Sequence, residues 1–262
     1  MKDFFKNVLA TVVGIILTFV IMGIFGIMGI IGMVASTEQS KNVEDNSVLV
    51  LNMTGTLSER AESNPFSDIM GKVAKSNGLD DILKAIEKAK DNDKIKGIYI
   101  EAGLFSPDSY ASLQAIRRAL SDFKKSGKWI VAYGDSYTQG VYYLASVADK
   151  LYINPQGQID WHGIAAERMY MKDLMAKFGV KMQVTKVGTY KSATEQFTND
   201  KMSDADREQT TAIINGVWKN VVNEVAASRK LTAAKLNSYA DSLITFASTN
   251  DYVKMGLADG VL

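Results

Sequence analysis

Residues 95–133 read IKGIYIEAGLFSPDSYASLQAIRRALSDFKKSGKWIVAY, and the fold turns on how this stretch is parsed. Ile95–Glu101 (IKGIYIE) is short, apolar and β-branched, which predicts a strand. Tyr110, Leu113, Ile116, Leu120 and Phe123 then recur at helical spacing, so one face of a helix is apolar. That helix ends near Gly127. Trp129–Tyr133 (WIVAY) predicts a second strand. Strand, helix and strand in so short a span describe a crossover unit, whose two strands run parallel.

The same rhythm extends in both directions. Upstream, Ser47–Met53 (SVLVLNM) predicts a strand, and Asn77-Gly78 supply a start signal for a helix with Leu79, Ile82, Leu83, Ile86 and Ala89 on one face. Downstream, a glycine-containing turn leads into a small-residue helix through Tyr142, Tyr143, Leu144 and Ala145. Leu151–Ile153 is extended again and closed by Asn154-Pro155. The alternation predicts an α/β fold with a mostly parallel, buried sheet. After Gln158 the pattern changes: a helix near Met169–Phe178, a strand at Met182–Val187, a loop, then a long helix from about Ser203 to Ser228 opened by the Ser203-Asp204 cap. No internal repeat or low-complexity tract occurs. Residues 58–78 are the expected mobile loop.

Ahead of this domain, Val8–Ala35 (VLATVVGIILTFVIMGIFGIMGIIGMVA) carries no charged residue. About 20 apolar residues cross a bilayer, so the run predicts a membrane anchor, and it exceeds the roughly 7–15-residue apolar core of a cleaved leader. Lys2 and Lys6 precede the run and only Asp3 opposes them, while Glu38, Lys41, Glu44 and Asp45 follow it. The positive-inside rule therefore predicts a cytoplasmic N-terminus, with the main domain outside the cytoplasmic membrane, in the periplasm. The expected layout is residues 1–7 inside, 8–35 the anchor, 36–46 a polar linker and 47–262 one soluble domain. Gly23, Gly26, Gly29 and Gly32 recur every third residue, off the four-residue spacing that brings helices closest. They are read as glycines tolerated in a lipid-facing helix.

Composition removes several classes of function. Thirty Lys and Arg against 29 Asp and Glu leave a net charge of +1, with no basic excess to hold nucleic acid. The absence of cysteine excludes a disulfide framework, a thiolate metal site and a cysteine nucleophile. The single histidine, His162, excludes a multi-histidine metal site; it reads as a structural or turn-capping residue, because the sequence identifies neither a nucleophile nor an orienting carboxylate for it. Gly188-Thr189-Tyr190-Lys191-Ser192 does not qualify as a phosphate loop, which needs glycine directly before the lysine. Tyr133, Tyr137, Tyr142 and Tyr143 read as packing around a turn. Asp80-Asp81 and Asp204/Asp206 read as carboxylates at helix N-termini.

Lys191 stands out through a resemblance. From about Ser47 onward the chain resembles the N-terminal half of the signal peptide peptidase A (protease IV) family, of the ClpP/crotonase-like superfamily. Four stretches carry it: Gly134-Asp135-Ser136-Tyr137-Thr138-Gln139-Gly140-Val141-Tyr142-Tyr143-Leu144-Ala145-Ser146, Pro155-Gln156-Gly157, Asp160-Trp161-His162-Gly163, and most strongly Val187-Gly188-Thr189-Tyr190-Lys191-Ser192-Ala193. The resemblance implies a ClpP/crotonase-like domain of repeated β-β-α and βαβ units and a Ser/Lys serine endopeptidase degrading cleaved signal peptides. Lys191 would be its general base. It also implies peptide substrates, a ring- or dome-shaped homo-oligomer, and neither cofactor nor metal. A free lysine has a pKa near 10.4, so the family's base must be held neutral, which an apolar pocket achieves. The serine departs from the pattern. Where one-domain members carry Ser-Gly-Gly before the Tyr-Tyr, this chain has Thr138-Gln139-Gly140-Val141, with Gln139 in the serine's place and Thr138 out of position.

In the long members a second, homologous half supplies the serine, and Leu262 falls about where the first half would end. Three readings stay open on sequence: the lysine-bearing half of a protease, a catalytically silent membrane-tethered peptide-binding scaffold, and an acyl-thioester enzyme of the crotonase branch. An external location weighs against the last, because acyl-CoA is cytoplasmic.

Overall fold

The computed structural model describes residues 1–37, 43–61 and 76–262, with side chains from 30 to 37 and at 76 left aside. The chain divides into two units, residues 1–44 and 45–262. In the first, α1 (Lys2–Thr37) is one continuous helix. Its Lys2–Gly29 portion contains an 18-residue window of mean hydropathy 2.8 and is long and apolar enough to cross a membrane. The linker expected at 36–46 and the loop expected at 58–78 lie partly outside the described residues.

The second unit is built on a six-stranded sheet in which every pairing is parallel, in the order β2-β1-β3-β4-β5-β6. The strands are β1 (Ser47–Ser58), β2 (Ser76–Gly78), β3 (Ile95–Ser106), β4 (Trp129–Tyr137), β5 (Lys150–Ile159) and β6 (Gly260–Val261). Between them run α2 (Leu79–Asp91), α3 (Tyr110–Lys124) and α4 (Gln139–Ala145). After β5 come α5 (Lys172–Lys177), α6 (Glu195–Thr198), α7 (Asp204–Arg229), α8 (Ala233–Asp241), a 3-10 turn (Ile244–Phe246) and α9 (Thr249–Lys254). The α/β expectation holds, and the apolar faces of α2 and α3 are buried as their spacing requires.

One face of the sheet is the core. Ile98, Ile100, Ile130, Ala132, Leu151 and Ile153 are fully buried beneath α2 and α4, and α3 packs against both helices. The opposite face carries Val48, Val50, Tyr99, Trp129 and Tyr133 and is exposed or half-exposed among the described residues. Parallel sheets are ordinarily covered on both sides, so this face is an exception. Trp129 lies flat on it against Gly97, where any β-carbon would come within 2.3 Å of the indole.

Three expectations need correction. β5 does not stop at Asn154-Pro155: its pairing with β4 shifts register between Gly134 and Ser136 and resumes at Gln158 and Ile159. Pro155 has no N–H to donate, so the ladder bulges there rather than ending. The helix expected at Met169–Phe178 is only Lys172–Lys177. Met182–Val187 is not a strand: its backbone runs without a partner strand among the described residues. Alternating apolar residues favour extended backbone, but a strand forms only where another edge is present to pair with.

A buried arginine joins three helices. Arg117, on α3, donates from Nη1 to the Tyr143 carbonyl and to Ser146 Oγ (2.8 Å) on the α4 side. Its Nη2 reaches the Glu224 carbonyl (2.9 Å) and Ser228 Oγ (2.7 Å) on α7, and Nε faces Glu224 Oε2 at 3.2 Å. The guanidinium also lies 4.7 Å from the Tyr143 ring centroid. Removing it strands buried acceptors at Tyr143 and Ser146 and takes the only cation from the half-buried Glu224 carboxylate among the described residues, which keeps Gln114 and Tyr143 as donors. Arg117→Met is expected to lower unfolding free energy by about 3 kcal/mol in urea titrations. Arg117→Lys is expected to recover little, because an ammonium cannot reproduce the planar five-donor fork.

Candidate active site

In an all-parallel sheet the carboxyl ends of the strands share one edge, and the loops leaving them meet there. Phe105 and Ser106 end β3, Thr138 follows β4, and Asp160 follows β5. These residues, with Pro107, Tyr110, Gln139, His162 and Ile164 among others, line a cavity of about 390 Å³.

Gln139, the first residue of α4, forms its inner wall and is 5% exposed. Its Nε2 donates to Tyr110 Oη (2.8 Å) and to the Gly163 carbonyl (2.9 Å). Its Oε1 accepts from the backbone N–H groups of both His162 (3.0 Å) and Gly163 (2.9 Å). Two consecutive amides converge on one oxygen next to Gly163, whose φ of 93° lies in the left-handed region. The amide's two donors and both acceptor positions are thus used. Thr138 is engaged as the helix cap, its Oγ1 accepting from Val141 N–H at 3.4 Å. Burial pushes the Tyr110 phenol up, with the hydrogen bond from Gln139 opposing and the charge of Asp160 adding to the rise. It is therefore a proton-bearing donor at neutral pH.

His162 has the orienting carboxylate that its sequence neighbourhood did not single out. Nδ1 lies 2.8 Å from Asp160 Oδ1, and that oxygen also accepts from Thr245 Oγ1 at 3.1 Å. The signal was the i,i+2 spacing of Asp160 and His162 just past a strand, which became informative only once Thr245 arrived from the distant 3-10 turn.

Lys191 lies elsewhere. Trp161 is fully buried, its Nε1 donating to the Leu236 carbonyl at 2.9 Å, and beyond it the chain leaves the core. Met169, Phe178 and Val187 are 75%, 78% and 86% exposed. Lys191 sits in this arm, exposed, on an open depression of about 500 Å³ formed wholly by residues between Val184 and Thr194. That depression shares no lining residue with the cavity at Gln139. No hydrogen bond or ion pair engages the Lys191 ammonium among the described residues, and the apolar pocket implied for the base is not formed around it here.

The loop is nonetheless fastened to the first turns of α7. Tyr190 Oη donates to Glu208 Oε2 (3.0 Å), and Gln209 Nε2 donates to the Tyr190 carbonyl (3.2 Å). Buried Glu195 accepts from Ser203 N–H (3.2 Å) and Ser203 Oγ (2.9 Å), with Lys186 Nζ 3.6 Å away. Arg168 pairs with buried Asp206 at 2.7 Å. Asp204 and Asp206 both fall in the first turn of α7, as their spacing predicts, and Asp206 also holds Arg168.

The domain thus combines a parallel-sheet α/β core, a polar cleft at its carboxyl edge and a separate loop that bears Lys191. The sequence profile described as peptidase family S49 matches residues 122–261, and the chain belongs to that family. It is 37% identical over 204 residues to Protease 4 of Salmonella typhi, covering 75% of this chain and 33% of that protein. It is 34% identical over 200 residues to Protease 4 of Haemophilus influenzae, covering 74% and 32%. The chain thus spans about a third of the length of the curated relatives it matches. Among solved structures it is similar to the ClpP protease catalytic domain from Plasmodium falciparum, at 10% identity and a TM-score of 0.45, covering 82% of this chain and 84% of that one.

The four bonds of Gln139 yield a direct test. Gln139→Ala leaves the His162 and Gly163 amides without an acceptor and is expected to cost about 2–3 kcal/mol of stability. Hydrogen exchange read by mass spectrometry should accelerate at those two amides while the β3 and β4 amides keep their protection.

Proposed function

We propose that this chain is the lysine-bearing half of a membrane-anchored Ser/Lys endopeptidase that degrades cleaved signal peptides, with the serine supplied by a homologous second half. The observation that carries the reading is Lys191: it lies inside the family-matched region, in the stretch most like the family's base, with an unengaged amine on an open surface. In this reading the pocket that keeps the amine neutral is completed when the partner half packs over the exposed arm. The exposed Met169, Phe178 and Val187 are the surface such packing would cover.

The chemistry then runs in two halves. The neutral Lys191 amine takes the proton of the serine hydroxyl as that oxygen attacks the scissile carbonyl. The resulting ammonium gives the proton to the departing amine, leaving an acyl-serine. The regenerated amine then takes a proton from water as it attacks the acyl group, and the ammonium returns that proton to the departing serine oxygen, which releases the acid product and restores both groups. Gln139 supports the view that this chain brings no nucleophile of its own, since a carboxamide has none to offer. In the same reading α1 anchors the protein in the cytoplasmic membrane with the N-terminus inside and the domain in the periplasm. The working form is a homo-oligomer.

Gln139 also favours a second reading, in which the lost serine is final and the domain is a silent, membrane-tethered scaffold that binds peptides. The two separate in an assay of the detergent-solubilised chain on an apolar fluorogenic peptide, alone and mixed with a separately made serine-bearing half. The protease reading expects turnover in the mixture only, lowered at least a thousandfold by Lys191→Ala. Absence of turnover in every mixture of folded proteins leaves the scaffold.

A further inference from the structure

We infer that Glu195 is a positioning residue for Lys191, its buried carboxylate closing the lysine-bearing loop into a ring fixed on the N-terminus of α7. The inference rests on the reading of Lys191 as the general base and adds a second residue of this chain to that machinery. The depression at Lys191 is walled by one run of chain from Val184 to Thr194, and Glu195 is the next residue. Its backbone N–H donates to the Ser192 carbonyl at 2.9 Å, one residue past Lys191. Its side chain reaches the other wall, where Lys186 Nζ stands 3.6 Å from Oε1. The two ends of the loop therefore meet at one residue, with Lys191 between them.

The same carboxylate anchors the ring. Oε1 accepts from Ser203 Oγ (2.9 Å) and Oε2 from the Ser203 N–H (3.2 Å). Ser203 Oγ in turn caps α7 by accepting from the Asp206 N–H at 3.2 Å. In a capping box the residue three positions into the helix takes the N-cap N–H. Here that residue is Asp206, whose Oδ2 accepts from Arg168 Nη1 at 2.7 Å, and Glu195 takes the N–H in its stead. The cap of α7 is thus supplied by the lysine loop, and one group fixes both. At 3% exposure the carboxylate is out of water, so its charge-assisted bonds keep more of their strength than the exposed contact of Tyr190 with Glu208.

A lysine amine rides on a flexible four-carbon stem, so it can be aimed only from a fixed backbone. Proton transfer needs that amine within hydrogen-bond reach of the serine, and a displacement of about 1 Å costs about a hundredfold in rate. Losing Glu195 frees both ends of the loop and leaves the bonds of Tyr190 to Glu208 and Gln209 to hold it. A residue that only capped α7 would stabilise the fold and leave the rate of each folded molecule unchanged.

The test uses the detergent-solubilised chain mixed with the serine-bearing half, with kcat and KM referred to folded chain by melting curves and Lys191→Ala run alongside. Glu195→Ala is expected to lower kcat about a hundredfold with KM changed by less than about threefold, the mark of a displaced base. Glu195→Gln keeps an acceptor for Ser203 and gives up the Lys186 pair, so it should recover about tenfold of that loss. Thr232→Ala removes a cap of the same kind from α8, where Oγ1 accepts from the Lys235 N–H at 3.2 Å. It should lower the melting temperature without touching kcat. Hydrogen exchange should quicken at residues 187–193 in Glu195→Ala and stay as it is in Thr232→Ala. Should Glu195→Ala fail to fold, Glu195→Gln decides, with about a tenfold loss of kcat and the same exchange response expected. Turnover in the wild-type mixture with kcat per folded chain unchanged in the Glu195 variants, or a loss equalled by Thr232→Ala, would overturn the inference and leave Lys191 as the base. No turnover in the wild-type mixture, or turnover indifferent to Lys191→Ala, would overturn the reading beneath it and the inference with it.

Discussion

One carboxamide organises the carboxyl edge of this domain. Gln139 ties the start of α3, through Tyr110, to the chain that leaves β5, through His162 and Gly163, while its own backbone opens α4. An amide buried to this degree must have its donors and acceptors met or pay several kcal/mol for desolvation, so its four partners are constrained together. The cleft is therefore rigid where a hydrolase would need a free hydroxyl. Gln139 also shapes the inner wall of the cavity.

The loop that bears Lys191 is carried on a different support. Lys191 belongs to an arm that contributes little to the buried core, and what holds the arm is polar: Tyr190 to Glu208, Glu195 to Ser203, Arg168 to Asp206. All three attach to the first turns of α7, and α7 is joined to α3 and α4 through Arg117. A continuous path of hydrogen bonds thus runs from the sheet-covering helices to the lysine loop. The apolar side chains of the arm remain turned to solvent, as does one face of the parallel sheet.

The sheet was legible because its signal is local. Runs such as IKGIYIE and WIVAY declare strands, and the spacing of Leu113, Ile116, Leu120 and Phe123 declares the crossover helix. What the sequence concealed was set by distant partners. The continuation of β5 past Pro155 depends on β4 resuming its pairing at Ser136. Met182–Val187 has a strand's composition, yet no strand among the described residues pairs with it. At the site, Lys191 and Gln139 were both readable from the resemblance, but that they occupy separate cavities was not, because separation depends on how the arm leaves the core at Trp161. The Asp160–His162–Thr245 chain was likewise hidden, since one of its members lies 85 residues from another.

The central claim is that this chain contributes a lysine and no nucleophile. The most direct measurement is to treat the chain with a fluorophosphonate, which phosphonylates activated hydroxyls with loss of fluoride, and to map every modified residue by mass spectrometry, alone and with the serine-bearing half present. The account predicts no adduct on any serine or threonine of this chain, and labelling confined to the added half. An adduct on Thr138, Ser106 or Ser192 would contradict it, because the chain would then carry a nucleophile of its own.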